Sequence, residues 1–138
     1  MTLTAARRRT AIALASLTLL GGTATGGVAV AAEAGTTAAA AYPCDVTMSS
    51  SGRLSAGYYN GTTVQPSTSQ VTAAGKEAQC LLQYQGYNPG TIDGIFGRNS
   101  TAAAKKFQGV VNDACNINLD EDGKVGPQTW PHLRRLYC

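Results

Sequence analysis

The chain carries one short pattern twice, Asp93-Gly94-Ile95-Phe96-Gly97 and Asp122-Gly123-Lys124-Val125-Gly126. Ser100 stands three residues after the first copy and Thr129 three after the second, so every landmark recurs at an offset of 29 residues. A loop-to-helix unit repeated at constant spacing points to a duplicated fold. Each residue type in it has a role that needs no ligand. Asp93 and Asp122 can accept hydrogen bonds from N–H groups just downstream. Gly94 and Gly123 suit positive φ, and Gly97 and Gly126 allow close backbone approach or start the next helix as N-caps. Ile95, Phe96 and Val125 drop apolar side chains between helices, with Trp130 behind the second copy. The motif is therefore read as scaffold.

Helical periodicity surrounds both copies. After Pro66, Ser67-Thr68-Ser69 offers N-cap candidates, and Val71, Ala74, Gly75, Ala78, Leu81 and Leu82 predict a first helix over about residues 70–85. Gly86 suits the left-handed position that closes a helix, and Asn88-Pro89-Gly90 forms a turn. A second helix is expected from about Asn99 to Ala114, with Ala103, Phe107, Val110 and Ala114 facing inward. A third begins at Gly126-Pro127 and carries Trp130, Leu133 and Leu136, with Pro131 distorting or shortening its first turn. The expected class is all-α, a small three-helix bundle with an internal pseudo-repeat over residues 67–138.

The first residues have the form of an export signal. Arg7, Arg8 and Arg9 make a positive segment, Ala11 to Leu20 an apolar block too short to span a bilayer, and small residues follow. Residues 1–34 are assigned to a signal peptide, with cleavage expected between Ala31 and Ala41. Its removal lowers the basic count from 11 to 8 and the acidic count from 8 to 7, leaving the mature chain close to neutral. No polybasic face remains to follow phosphates, so no nucleic-acid partner is expected, and no membrane span once the signal is gone. Residues 35–66, rich in Gly, Ser, Thr and Tyr, read as an extended arm, with a hairpin expected where Tyr58 to Val64 flank Asn60-Gly61.

All four cysteines, Cys44, Cys80, Cys115 and Cys138, lie in the mature part, the pattern of two disulfides in an exported chain. The helical part has only about 70 residues, near the size at which one hydrophobic core needs such staples. Cys80 stands nine residues after Val71, half a turn away at about 100° per residue, and so points off the apolar stripe. Pairing Cys44–Cys138 with Cys80–Cys115 is preferred because it pins both loose ends; Cys44–Cys80 with Cys115–Cys138 is the alternative. No two cysteines have metal-knuckle spacing, and His132 is the single histidine. Asn118 to Gly123 follows the opening of a calcium loop, but its twelfth position is Thr129 and Pro127 intrudes, so no metal or cofactor is expected.

Taken in order, Ala78-Gln79, Leu82, Gly86-Tyr87-Asn88-Pro89-Gly90, Asp93 to Gly97, Ala103, Phe107-Gln108, Asp122 to Trp130 and Leu133 resemble the small three-helix peptidoglycan-binding domain of bacterial cell-wall hydrolases. The resemblance covers about residues 70–136 and departs at Ala78, at Ser100 and in a longer connection over 111–120. It implies a secreted, cell-wall-associated monomer that holds glycan or stem peptide on a shallow groove. In such a groove aromatic faces stack on sugars while amides and Arg bond hydroxyls and carbonyls. Candidate contacts are Tyr84, Tyr87, Arg98, Asn99, Gln108 and Gln128.

No enzyme is expected. His132 lacks a serine or cysteine nucleophile in a recognisable motif, and Asp93 and Asp122 have structural explanations. The leading reading is a non-catalytic peptidoglycan-binding protein. The alternatives are an extracellular interaction protein or inhibitor on the same fold and, third, a small peptidoglycan hydrolase.

Overall fold

Thr72, rather than the serine-rich cluster before it, starts the first helix: its hydroxyl accepts the Gly75 N–H at 2.9 Å. The computed structural model describes residues 41–138, so the expected signal segment and the start of the arm, residues 35–40, lie outside the described residues. In order these residues form β1 (Thr47–Met48), β2 (Leu54–Ser55), α1 (Ala73–Tyr84), α2 (Arg98–Cys115) and α3 (Thr129–Leu133). Ser67 instead shapes a turn upstream of α1, its hydroxyl accepting from Ser69 and Gln70. Val71 therefore precedes the helix and is exposed, while Ala74, Ala78, Leu81 and Leu82 are buried as expected.

Helix α2 begins after Gly97 and ends at Asn116, which takes a left-handed φ of 50°. Ala103, Ala104 and Phe107 face the core. Val110 and Ala114, expected to do the same, are exposed. They border an open groove against the C-terminal tail. The connection after α2 is held by Asn112, whose side chain donates to Leu119 O at 3.0 Å and accepts from Leu119 N at 2.6 Å.

Helix α3 is shorter than expected, five residues ending at Leu133, and Leu136 lies exposed beyond it. Gly126 O accepts from both Thr129 and Trp130 N–H at 3.0 Å, so the first turn closes without Pro131, which has no N–H to offer.

The arm is corrected most. A hairpin exists, but it is β1 paired antiparallel with β2, Thr47 opposite Ser55 and Met48 opposite Leu54. No strand forms over Tyr58–Val64. The carbonyls of Tyr59 and Gly61, which a ladder there would use, instead accept from the Arg134 guanidinium. The Tyr59 hydroxyl closes the loop by accepting from Thr63 and Val64 N–H at 3.2 and 3.0 Å.

The expected boundary at residue 66 does not separate a loose arm from a core. Leu54 is fully buried and clusters with Leu81, Leu82, Phe107, Trp130 and Leu133. Trp130 Nε1 donates to Val64 O at 2.9 Å, and Phe96 N donates to Ser67 O at 2.8 Å. A buried ion pair locks the arrangement: Arg134 Nη1 donates to Glu77 Oε1 at 2.7 Å, with both side chains out of solvent. Glu77 also accepts Ala56, Tyr58 and Tyr59 N–H, and Arg134 also donates to Leu54 O.

The two disulfides are Cys44–Cys80 and Cys115–Cys138, which overturns the preferred pairing. The arm runs along the outer side of α1 and brings Cys44 to Cys80, while the C-terminal tail turns back over the end of α2 and brings Cys138 to Cys115. The paired Cα atoms are 5.2 and 5.4 Å apart.

Candidate functional site

The repeated loops are each gripped by one buried glutamine. Gln79 on α1 donates through Nε2 to Asp93 Oδ1 at 2.9 Å, Ile95 O at 3.0 Å and Ser100 Oγ at 3.0 Å, and its Oε1 accepts Gly94 N–H at 2.8 Å. Gln108 on α2 repeats this at the same 29-residue offset. Its Nε2 reaches Asp122 Oδ1 at 3.4 Å, Lys124 O at 3.0 Å and Thr129 Oγ1 at 3.1 Å, and Gly123 N–H returns at 2.8 Å. Asp93 and Asp122 accept the N–H two residues on at 2.9 and 2.8 Å, as the turn chemistry requires. Gly94 and Gly123 have φ of 79° and 74°. Partial burial pushes the Asp122 carboxyl up, but the Lys124 N–H, the Gln108 amide and the Lys124 ammonium outweigh it and hold the group below its ordinary value.

The six candidate contacts do not converge. Gln108 is buried with its amide fully engaged, so it braces a loop rather than facing solvent. Gln128 lines a shallow hollow beside the second loop. Arg98 and Asn99 line the equivalent hollow beside the first, and Asn99 also borders a neighbouring one with Lys106. Tyr84 is exposed on α1.

Tyr87 lies elsewhere again, on a groove with a volume of about 150 Å³ bounded by the second half of α2 and the C-terminal tail. Its floor is apolar, with Phe107 in edge-on contact with the Tyr87 ring at 5.5 Å between centroids. Burial raises the Tyr87 pKa above its ordinary value. Val110, His132, Arg135 and Tyr137 stand at the rim, Tyr137 85% exposed. Sequence reasoning gave His132 no role and did not weigh Arg135 or Tyr137. Cys138, next to Tyr137, was the available signal that this tail is held in place.

Fold and surface together define a three-helix module with shallow concavities on a scaffold of two glutamine-held loops. Residues 72–133 match the family model described as "Putative peptidoglycan binding domain". A crystal structure of a peptidoglycan-binding protein from Clostridioides difficile, in complex with glutamine hydroxamate, is similar at 28% identity and a TM-score of 0.51. The match covers 66% of this chain and 56% of that one, so the chain spans little more than half the length of its structural neighbour. No helix among the described residues is long and apolar enough to cross a membrane.

Proposed function

We propose that this protein is a secreted, non-catalytic module that binds bacterial peptidoglycan. The match of residues 72–133 to a peptidoglycan-binding family carries this reading, and the structural neighbour's name supports it. The non-catalytic part draws support from what the obvious chemical groups already do. Asp93 and Asp122 brace loops, Glu77 neutralises Arg134, and all four cysteines are bridged. Two bridges and the N-terminal segment favour an extracellular setting. Co-sedimentation of the purified mature protein with insoluble peptidoglycan, with cellulose and chitin as controls, tests it: the protein should pellet with peptidoglycan alone. Recovery in the supernatant with all three would falsify the reading, and clearing of a cell-wall suspension would replace it with hydrolysis.

A further inference from the structure

A type I′ hairpin turn would hold both Asn60 and Gly61 at positive φ, and neither residue takes one. The segment is irregular backbone, Asn60 is exposed, and the Gly61 N–H donates to no protein group among the described residues. Three successive carbonyls, those of Tyr59, Asn60 and Gly61, are nonetheless pinned by two arginines. Arg134 donates to Tyr59 O and, through Nε and Nη2, to Gly61 O at 3.3 and 3.1 Å, while Arg53 Nη2 donates to Asn60 O between them. The Ser55 hydroxyl donates to Asn60 Oδ1 at 3.4 Å.

This arrangement suits one reaction of asparagine. The backbone nitrogen of the following residue, once it has lost its proton, attacks the side-chain carbonyl carbon and closes a cyclic imide. Glycine in that following position leaves the approach unobstructed, since it has no side chain. The proton to be lost belongs to the peptide group whose oxygen accepts from Arg53, so the guanidinium stabilises the negative charge that spreads onto that oxygen. Ser55 meanwhile polarises the carbonyl under attack. The other five asparagines do not meet these conditions. Asn88 precedes Pro89, which has no N–H. Asn99 and Asn112 lie within α2, where helical ψ holds the next nitrogen away from the side-chain carbon. The N–H groups after Asn116 and Asn118 are engaged, Ile117 donating to Asn112 O at 3.3 Å and Leu119 to Asn112 Oδ1 at 2.6 Å.

We propose that Asn60 is a site of self-deamidation, assisted by Arg53 and Ser55. Gly61 N gives up its proton and bonds to Asn60 Cγ, and Nδ2 takes up a proton and leaves as ammonia. Solvent water then opens the imide at either of its carbonyls. Opening at Cγ gives aspartate; opening at the main-chain carbon gives isoaspartate, whose backbone runs through the side chain and is longer by one atom. That added atom displaces Gly61 O from Arg134 and so loosens the residue that pairs with buried Glu77. The aspartate product leaves the main chain as it was. A loop that ties the arm to the helices thus carries a slow, irreversible ageing step at one residue.

Mature protein held near neutral pH would be digested at intervals and read by mass spectrometry, with isoaspartyl methyltransferase labelling to separate the two products. The peptide carrying residue 60 is expected to exchange NH2 for OH before any peptide carrying another asparagine. Aged protein should unfold at lower urea than fresh protein, whereas freshly made Asn60→Asp should unfold as wild type does. Arg53→Gln, at an exposed position, should slow the exchange about tenfold, in line with loss of one charge-assisted bond. Ser55→Ala should slow it less, and both differences should vanish in denaturing urea, where only the sequence remains. If residue 60 stays an intact asparagine in the native protein while the urea-unfolded chain deamidates there, the inference is overturned. Equal native rates for wild type, Arg53→Gln and Ser55→Ala would overturn it as well, since the Asn-Gly sequence alone would then account for the reaction.

Discussion

At the scale of single residues, Gln79 and Gln108 do the same work at two places. Each amide satisfies a turn N–H, a carboxylate and a hydroxyl at once, inside a medium where an unpaired polar group is costly. Gln79→Ala should therefore destabilise the protein by on the order of 3 kcal/mol, read by urea unfolding, because Gly94 N–H loses its acceptor and Ser100 and Asp93 lose a donor. Gly75→Ala should cost about 2 kcal/mol for a steric reason, since a Cβ there would stand 2.1 Å from Gly94 O. Asp122 carries a pH dependence. Its folded pKa lies below the ordinary 3.8, so its contribution is present above that value and is lost as pH falls through the lower folded one. The stability advantage of wild type over Asp122→Asn should accordingly shrink in acid unfolding curves recorded below about pH 4.

At the scale of elements, α3 is the exposed point of the design. Five residues cannot hold a helix by propensity, so it depends on burying Trp130 and Leu133 and on the tail that follows. The Cys115–Cys138 bridge closes a segment with a sequence separation of 23 residues, containing the second loop and all of α3. Replacing both cysteines by serine should lower stability by about 2–5 kcal/mol in thermal or denaturant unfolding, and should release the wall that carries Tyr137. The limits of α1 and α2 follow the sequence periodicity closely. Their inward faces were less legible: Val71 and Val110 fit a helical stripe by spacing, but one precedes its helix and the other faces a groove. Spacing tells which residues share a face; it does not tell what covers that face.

At the scale of the whole molecule, the arm and the helices form one core. Leu54 fills a place among α1 and α3 residues, and the Glu77–Arg134 pair bonds the backbone of residues 54–61 from both partners. Breaking a buried pair from one side leaves the other charge stranded, so Glu77→Leu should cost about 3–5 kcal/mol, measured by denaturant unfolding. A chain trimmed to residues 67–138 should fail to give a cooperative thermal transition by circular dichroism, because it exposes the surface under Leu54 and leaves both Glu77 and Arg134 without their backbone partners. A stably folded fragment would contradict the idea that arm and helices are interdependent.

Chemistry local to a few residues was legible from the sequence alone. The Asp-Gly turns, the two long helices and the first-loop and second-loop registers follow from hydrogen-bonding and conformational rules that act within a few positions of the chain, and they led to the family match over residues 72–133. What depended on distant residues meeting was decided only in the tertiary structure. Asn60-Gly61 carries a strong hairpin signal, yet Arg134, more than seventy residues later, takes the carbonyls such a hairpin needs. The cysteine pairing depended on the path of the arm over α1 and of the tail over α2, which no spacing encodes. The groove beside Tyr87 likewise exists because residues from three separate stretches meet there.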